Sequence, residues 1–148
     1  MQKVTFNYLD SSLPLKNKNI VKAFIATIFK KEKKGLNYIN YIFCSDDTLL
    51  ELNKQQLQHD YYTDILTFEL STDNNTESEV YISVDRVKDN AKTLQQPLEK
   101  EILRVLFHGA LHLCGYKDKT KKDEAKMREM EDFYINKYYK SIVPRGTK

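Results

Sequence analysis

Four short segments of the chain either alternate apolar and polar residues or collect β-branched and aromatic ones. Both patterns are typical of β-strands, because successive side chains of a strand point to opposite faces of a sheet. The predicted strands are residues 3–8, 37–43, 65–70 and 80–84. The polar stretch 71–79 has no periodicity and predicts a loop between the last two strands.

Apolar residues recur at helical spacing in five other segments. The predicted helices cover residues 20–29, a segment capped by Ser45 or Asp46, the residues that follow 84 through about 94, about 97–114, and about 121–140. We expect Gly35 to end the first helix and Gly115 to end the fourth. Pro97 suits the first turn of the fourth helix, where its missing N–H removes no hydrogen bond.

Four strands among five helices predict an α+β fold, with one small mixed sheet covered on one side by helices. The length of 148 residues is close to the commonest size of a single domain, and we expect one domain over residues 1–148. No stretch approaches the ~20 apolar residues that a membrane helix needs. The first residues also lack the layout of a signal peptide, so we expect a cytoplasmic protein.

The net charge and the cysteines add little to this prediction of the fold and the compartment. A net charge of +3 is too small to indicate nucleic-acid binding by itself. Two lysine clusters are more informative: Lys30, Lys31, Lys33 and Lys34, and Lys117, Lys119, Lys121 and Lys122. The first is typical of a solvated helix end, whereas the second flanks the candidate site below and favours a polyanionic substrate. We expect Cys44 and Cys114 to be reduced thiols.

The chain has three histidines, and His108 and His112 stand four residues apart within the fourth predicted helix. Residues at this spacing share a helix face, so both imidazoles can converge on one metal ion. Gly115 permits a left-handed turn after the helix, and that turn would return Asp118 as a third ligand. Three protein ligands plus water are typical of a catalytic zinc. We therefore predict one zinc ion per chain on His108, His112 and Asp118; the alternative is that both histidines are ordinary helix residues.

The residue after His108 bears on the reaction class. Zinc peptidases use H-E-x-x-H, in which the glutamate is the general base. Here that position is Gly109, which has no side chain. A peptidase is therefore disfavoured.

At these residues the chain resembles a known family. H-G-A-L-H-L-C-G-Y over residues 108–116 resembles the YbeY signature H-G-x-L-H-L-x-G-Y, which is followed by an acidic residue and a third histidine. Leu52-Asn53, then Asp60 and T-D-I-L-T-F over residues 63–68, resemble a second family block, L-N…D-x-P-T-D-V-L-S-F. The resemblance extends from about residue 46 to 135.

This resemblance implies an α+β fold and a zinc-dependent endoribonuclease specific for single strands. It further implies a role in ribosomal RNA processing, notably maturation of the 3′ end of the small-subunit RNA, and in ribosome quality control. The implied partners are single-stranded RNA of the small subunit and its ribosomal proteins; no membrane or DNA partner is expected. The metal is expected at the mouth of a basic cleft.

Two positions depart from the family pattern. Asp118 stands where the family has its third histidine, which affects metal affinity and preference. Leu57 stands where the family has an arginine that is thought to serve in RNA cleavage. Arg104, one turn before His108, is the predicted substitute, and Arg86 is an alternative. The predicted catalytic residues are thus His108, Arg104 and His112.

Further candidates are less specific. Glu101 is the first titratable residue to consider as a general base, His59 is a possible cleft residue, and Tyr61 and Tyr62 could stack on unpaired bases. Two other functions remain open: a non-catalytic, metal-stabilised ribosome assembly factor, and a metallohydrolase of a small molecule or peptide.

Overall fold

The fold consists of four strands and five helices within the residues that the structure, a computed structural model, describes: 3–58, 63–71 and 73–142. The strands are β1 (Val4–Tyr8), β2 (Gly35–Cys44), β3 (Ile65–Glu69) and β4 (Asn75–Ser83). The helices are α1 (Lys18–Lys31), α2 (Asp46–Leu57), α3 (Val84–Thr93), α4 (Leu98–Leu113) and α5 (Lys121–Ile142). Among the described residues, no helix has the length and apolar character needed to span a membrane.

The strands form one mixed sheet in the order β1-β2-β4-β3. β1 is parallel to β2 and β2 is parallel to β4, whereas β3 is antiparallel to β4. The predicted α+β fold, with a mixed sheet of four strands and five helices, is confirmed.

Strand β4 is longer than its apolar pattern predicts. It begins at Asn75, so the prediction of a loop over residues 71–79 is wrong for the second half of that stretch. The polar residues are strand residues because β2 and β3 pair with β4 on both sides. The side chains of Thr76 and Ser78 are buried, and the Ser78 hydroxyl donates a hydrogen bond of 2.9 Å to the Phe68 carbonyl.

The prediction that Gly35 ends the first helix is also wrong. Helix α1 ends at Lys31, and the left-handed residue in the following turn is Lys33, with φ 60°. Gly35 is the first residue of β2, where a Cβ atom would lie 2.9 Å from the carbonyl oxygen of Asn74. The glycine therefore permits a close approach of two strands.

The other helix signals are found where the sequence predicts them. The hydroxyl of Ser45 accepts a 3.2 Å hydrogen bond from the Thr48 N–H and caps α2. Helix α4 starts at Leu98, so Pro97 is its N-cap residue, one position before the predicted first turn. The helix ends two residues before Gly115, whose φ is +112°. The strong capping and stop signals thus set these boundaries.

Helices cover both faces of the sheet rather than one. Helices α1 and α4 pack on the face that carries Val80 and Ile82, and α5 packs against α4. On the opposite face, Leu49 of α2 packs with Cys44 and Leu66 in a smaller cluster. Both cysteines are free thiols. The expectation of helices on one side only is wrong, since α2 buries its apolar residues against the second face.

Candidate active site

Helix α4 lies on the sheet at Gly109, next to the first histidine of the motif. A Cβ atom at Gly109 would lie 3.2 Å from Ile65 Cδ1 and 3.3 Å from Val80 Cγ1. Any larger side chain would have to displace these two residues of the sheet. The glycine at the position of the peptidase glutamate therefore serves close helix–sheet packing.

The turn after α4 returns the chain to His108. It passes through the left-handed Gly115, and the Tyr116 hydroxyl then donates a 2.9 Å hydrogen bond to Glu32 at the end of α1. This anchor holds the segment that carries Asp118. Its carboxylate Oδ2 lies 3.2 Å from His108 Nε2. The predicted glycine bend does bring Asp118 to the first histidine.

The third predicted ligand is not part of this contact. His112 is exposed, one helical turn after His108. Within residues 3–58, 63–71 and 73–142, no group of three or more His, Cys, Asp or Glu side chains is arranged to hold a metal ion. The structure therefore brings together two of the three predicted ligands, and the complete metal site stays a prediction.

The two residues that do meet fit a metal. Donor atoms at ~2.0–2.1 Å from a tetrahedral zinc are roughly 3.3 Å apart, close to the 3.2 Å between His108 Nε2 and Asp118 Oδ2. Two imidazoles and a carboxylate are also a suitable ligand set for catalytic zinc. His112 shares a helix face with His108 by its spacing, which leaves it available as the further ligand.

A cavity of about 740 Å³ opens beside this pair. Its acidic lining residues are Asp64, Glu101, Asp118, Glu124 and Glu131, and its basic lining residues are Arg104 and Arg128. Among the described residues, no lysine of the two clusters belongs to this lining. The cavity is therefore acidic, unlike the basic cleft that the family resemblance implies, and the lysines at 117–122 are exposed outside it.

Arg104 is surrounded by carboxylates. Its Nη1 lies 3.0 Å from Glu131 and its Nη2 2.8 Å from Asp132, while Nε lies 3.6 Å from Glu101. These partners neutralise the guanidinium, which counts against the predicted catalytic role. Glu101 is itself only 5% exposed, so water reaches it poorly as a general base.

Glu131 is a site residue that the sequence reasoning missed. Its Oε2 lies 2.7 Å from Nδ1 of His108, within hydrogen-bond distance and on a different helix. The sequence does contain a feature that could have identified it: Glu131 lies within the apolar stripe of α5, which includes Met127 and Tyr134. A buried carboxylate in such a stripe needs a polar partner.

The electrostatics of the cavity raise the pKa values of His108 and Asp64. Burial lowers the pKa of His108, but the hydrogen bond to Glu131 and the charges of Glu131, Asp118 and Asp64 outweigh it, so the pKa is raised. Burial also raises the pKa of Asp64, although the nearby His108 opposes this. Asp64 was also missed, despite lying in the second family block directly before β3.

The remaining candidates lie elsewhere. Arg86 pairs with Asp46 at 3.0 Å, joining α3 to α2, and it does not line the cavity. Leu57 is exposed at the end of α2. The predictions for His59, Tyr61 and Tyr62 concern residues outside those that the structure describes.

Comparison with known proteins identifies similar chains. A family model described as Endoribonuclease YbeY matches residues 5–139. A protein of Cytophaga hutchinsonii named Endoribonuclease YbeY is 48% identical over 124 residues, covering 83% of this chain and 87% of its own length. A Porphyromonas gingivalis protein of the same name is 43% identical over 132 residues, with coverages of 89% and 87%.

A solved structure agrees with the fold. The solution structure of a Thermotoga maritima protein superimposes with a TM-score of 0.63 and 28% sequence identity. The match covers 97% of this chain and 99% of that protein. The similarity therefore extends over the sheet and all five helices.

Proposed function

This chain belongs to the YbeY family, and we therefore propose that it is a metal-dependent endoribonuclease that cleaves single-stranded RNA during ribosomal RNA processing. Relatives at this level of identity are named endoribonucleases, enzymes that act on the phosphodiester bonds of RNA. The observation that carries the proposal is the pairing of His108 with Asp118 at 3.2 Å on the edge of a large cavity.

We propose that His108 Nε2, His112 and the Asp118 carboxylate hold one zinc ion. Bound there, zinc would supply Lewis-acid charge beside a phosphate and increase the acidity of water. The lining of the cavity supports this assignment, because its five carboxylates outnumber its two arginines and Arg104 is already paired with carboxylates. A bound cation would reduce the repulsion between this lining and an RNA phosphate.

The chain's own residues account for substrate approach and proton movement. The exposed lysines at positions 117 and 119, on either side of Asp118, attract the RNA backbone to the mouth of the cavity. The Asp64 carboxylate lines the cavity and would accept the proton that the attacking water loses. Its raised pKa, caused by burial, suits a group that exchanges protons.

The family also supplies the biological context of the proposal. The substrate would be the precursor of small-subunit ribosomal RNA, with cleavage contributing to maturation of its 3′ end and to ribosome quality control. Small-subunit ribosomal proteins would be the protein partners. Leu57 in place of the family's arginine means that charge stabilisation must come from elsewhere, and the lysines around Asp118 are the candidates.

The test compares cleavage of two RNA substrates by the zinc-loaded protein. We expect a fluorescently labelled single strand from the 3′ end of the small-subunit precursor to be cut and the duplex of the same sequence to stay intact. His108→Ala and a chelator should each lower the rate at least about 100-fold, because a metal ligand or the metal is lost. Glu129→Gln, at an exposed position of α5, is the control and should retain activity.

Other outcomes distinguish the alternative functions. Cleavage that persists unchanged in His108→Ala would exclude this site as its source. A zinc-loaded protein that binds small-subunit particles but cuts no RNA would favour the non-catalytic assembly factor. Turnover of a peptide library without RNA cleavage would favour a metallohydrolase of another class.

A further inference from the structure

Glu131 of α5 is a buried carboxylate that the proposed reaction does not use directly. It is 5% exposed, and each of its oxygens has a partner on α4. Oε2 lies 2.7 Å from His108 Nδ1, and Oε1 lies 3.0 Å from Arg104 Nη1. Helix α5 contributes no predicted metal ligand, yet through this residue it contacts His108 at Nδ1, the ring nitrogen that does not face Asp118.

The pairing is costly for a purely structural contact. Removing a carboxylate or a guanidinium from water carries a large desolvation cost, and an apolar pair of similar volume is often as stable. Here Glu131 and Arg104 are both largely buried, and Arg104 also contacts Asp132 at 2.8 Å. An arrangement with this cost is more readily explained by a role at the neighbouring site.

The geometry of the imidazole ring suggests that role. A neutral histidine carries its proton on one nitrogen and a lone pair on the other. A carboxylate that accepts a hydrogen bond from Nδ1 keeps the proton there, which leaves the lone pair on Nε2. In this structure Nε2 points to Asp118, 3.2 Å away, where the second proposed ligand lies.

We propose that Glu131 is a positioning residue that holds His108 in the Nδ1–H tautomer with Nε2 directed at the metal, and that Arg104 in turn orients Glu131. The metal part of this inference rests on the proposed function, whereas the tautomer does not. It assigns Arg104 a positioning role in place of the catalytic one predicted from the sequence. A carboxylate behind a metal-binding histidine fixes the ring and increases the basicity of the ligand.

The first measurement needs no substitution. Ring nitrogen and proton chemical shifts of His108 are recorded by NMR on ¹⁵N-labelled, chelator-treated protein, at a pH where the ring is neutral. We expect the Nδ1–H tautomer, whereas a free imidazole prefers Nε2–H. Observation of the Nε2–H tautomer would overturn the inference, whether or not the protein binds zinc.

The second measurement compares zinc affinity, by competition with a chromophoric chelator. Glu131→Gln keeps the size of the side chain and removes its charge, and we expect about a 10- to 100-fold loss of affinity. The matched control is Glu129→Gln, two residues away on the same helix, whose carboxylate is 68% exposed. It should bind zinc as the unsubstituted protein does.

The outcomes separate this inference from the proposed function. Unsubstituted protein that binds zinc, together with Glu131→Gln of equal affinity, overturns the positioning role and leaves the metal site standing. Protein that shows the Nδ1–H tautomer but binds no zinc supports the role of Glu131 and overturns the proposed metal function. A purely structural role would lower the unfolding temperature of Glu131→Gln without changing the tautomer or the affinity, and would also overturn the inference.

Discussion

His108 lies between two carboxylates, Asp118 at Nε2 and Glu131 at Nδ1. Burial lowers its pKa, but the Glu131 hydrogen bond and the surrounding negative charges leave the pKa above the ordinary value of about 6.5. In the metal-free protein this raised pKa contributes stability in full below the unfolded-state pKa. That contribution is lost as the pH rises through the folded-state pKa.

The protonation of His108 can be tested by NMR titration of its ring in the metal-free protein. We expect a midpoint above about 6.5, and a lower midpoint in Asp118→Asn because one favourable charge is removed. Protons and metal compete for Nε2, so apparent zinc affinity should fall as the pH drops below that midpoint.

A control substitution separates a local effect from a general change of charge. Asp89→Asn removes a carboxylate from the exposed side of α3 and should leave the His108 midpoint where it is. An equal shift in Asp89→Asn and Asp118→Asn would show that the Asp118 contact is not formed in solution.

At the scale of the elements, the position of α4 on the sheet decides which of its residues reach the cavity. Gly109 brings the helix backbone against Ile65 and Val80. The neighbouring His108 contacts Asp118 and also Glu131 of α5. The same packing explains why the glutamate of zinc peptidases has no place here. Close packing of α4 on the sheet therefore accounts both for the glycine at position 109 and for the absence of the peptidase glutamate.

Gly109→Glu would complete the peptidase motif in sequence, but we expect it to destabilise the fold. The new side chain would bury an unpaired carboxylate against Ile65 and Val80, at a cost of about 3–5 kcal/mol in the free energy of unfolding. Urea denaturation followed by circular dichroism measures this cost.

Asn136→Glu is the matched control for that substitution. It introduces the same side chain at an exposed position of α5, where the expected change is within about 0.5 kcal/mol. Equal stability of the two variants would mean that α4 does not approach the sheet at Gly109 as closely as described.

Over the molecule as a whole, the two thiols lie in different parts of the core. Cys44 packs under α2 on one face of the sheet, and Cys114 contacts the main core at the end of α4. Burial is the main cause that raises the pKa of each thiol to about 12. Neither is an accessible thiolate at neutral pH.

We therefore expect slow alkylation of both cysteines in the native protein at pH 8 and rapid alkylation in denaturant, where a thiol pKa is about 8.5. Mass spectrometry of iodoacetamide-treated protein counts the modified thiols. Native Cys114 that reacts as fast as a model thiol, while Cys44 stays protected, would indicate local opening at the end of α4.

Much of the fold could be predicted because its signals are local. The alternation in β1, the Ser45 cap and the Gly115 stop depend on neighbours within a few residues, and each was found in place. Gly35 and the polar start of β4 were misassigned because their conformations depend on strand pairing between distant segments. A polar residue in a central strand is stabilised by backbone hydrogen bonds that its own neighbourhood does not reveal.

The family, the α+β class and the helix and turn that bring Asp118 to His108 could all be inferred from the amino-acid sequence alone. Helical periodicity and a glycine turn act within one short stretch of chain, so spacing alone describes them. Three other features follow from the packing of the elements: Glu131 lies 2.7 Å from His108 Nδ1, Arg104 is surrounded by carboxylates, and the cavity is acidic. These features depend on residues that are distant along the chain, because the packing of α5 on α4 and the positions of Asp64 and Asp118 bring their charges together.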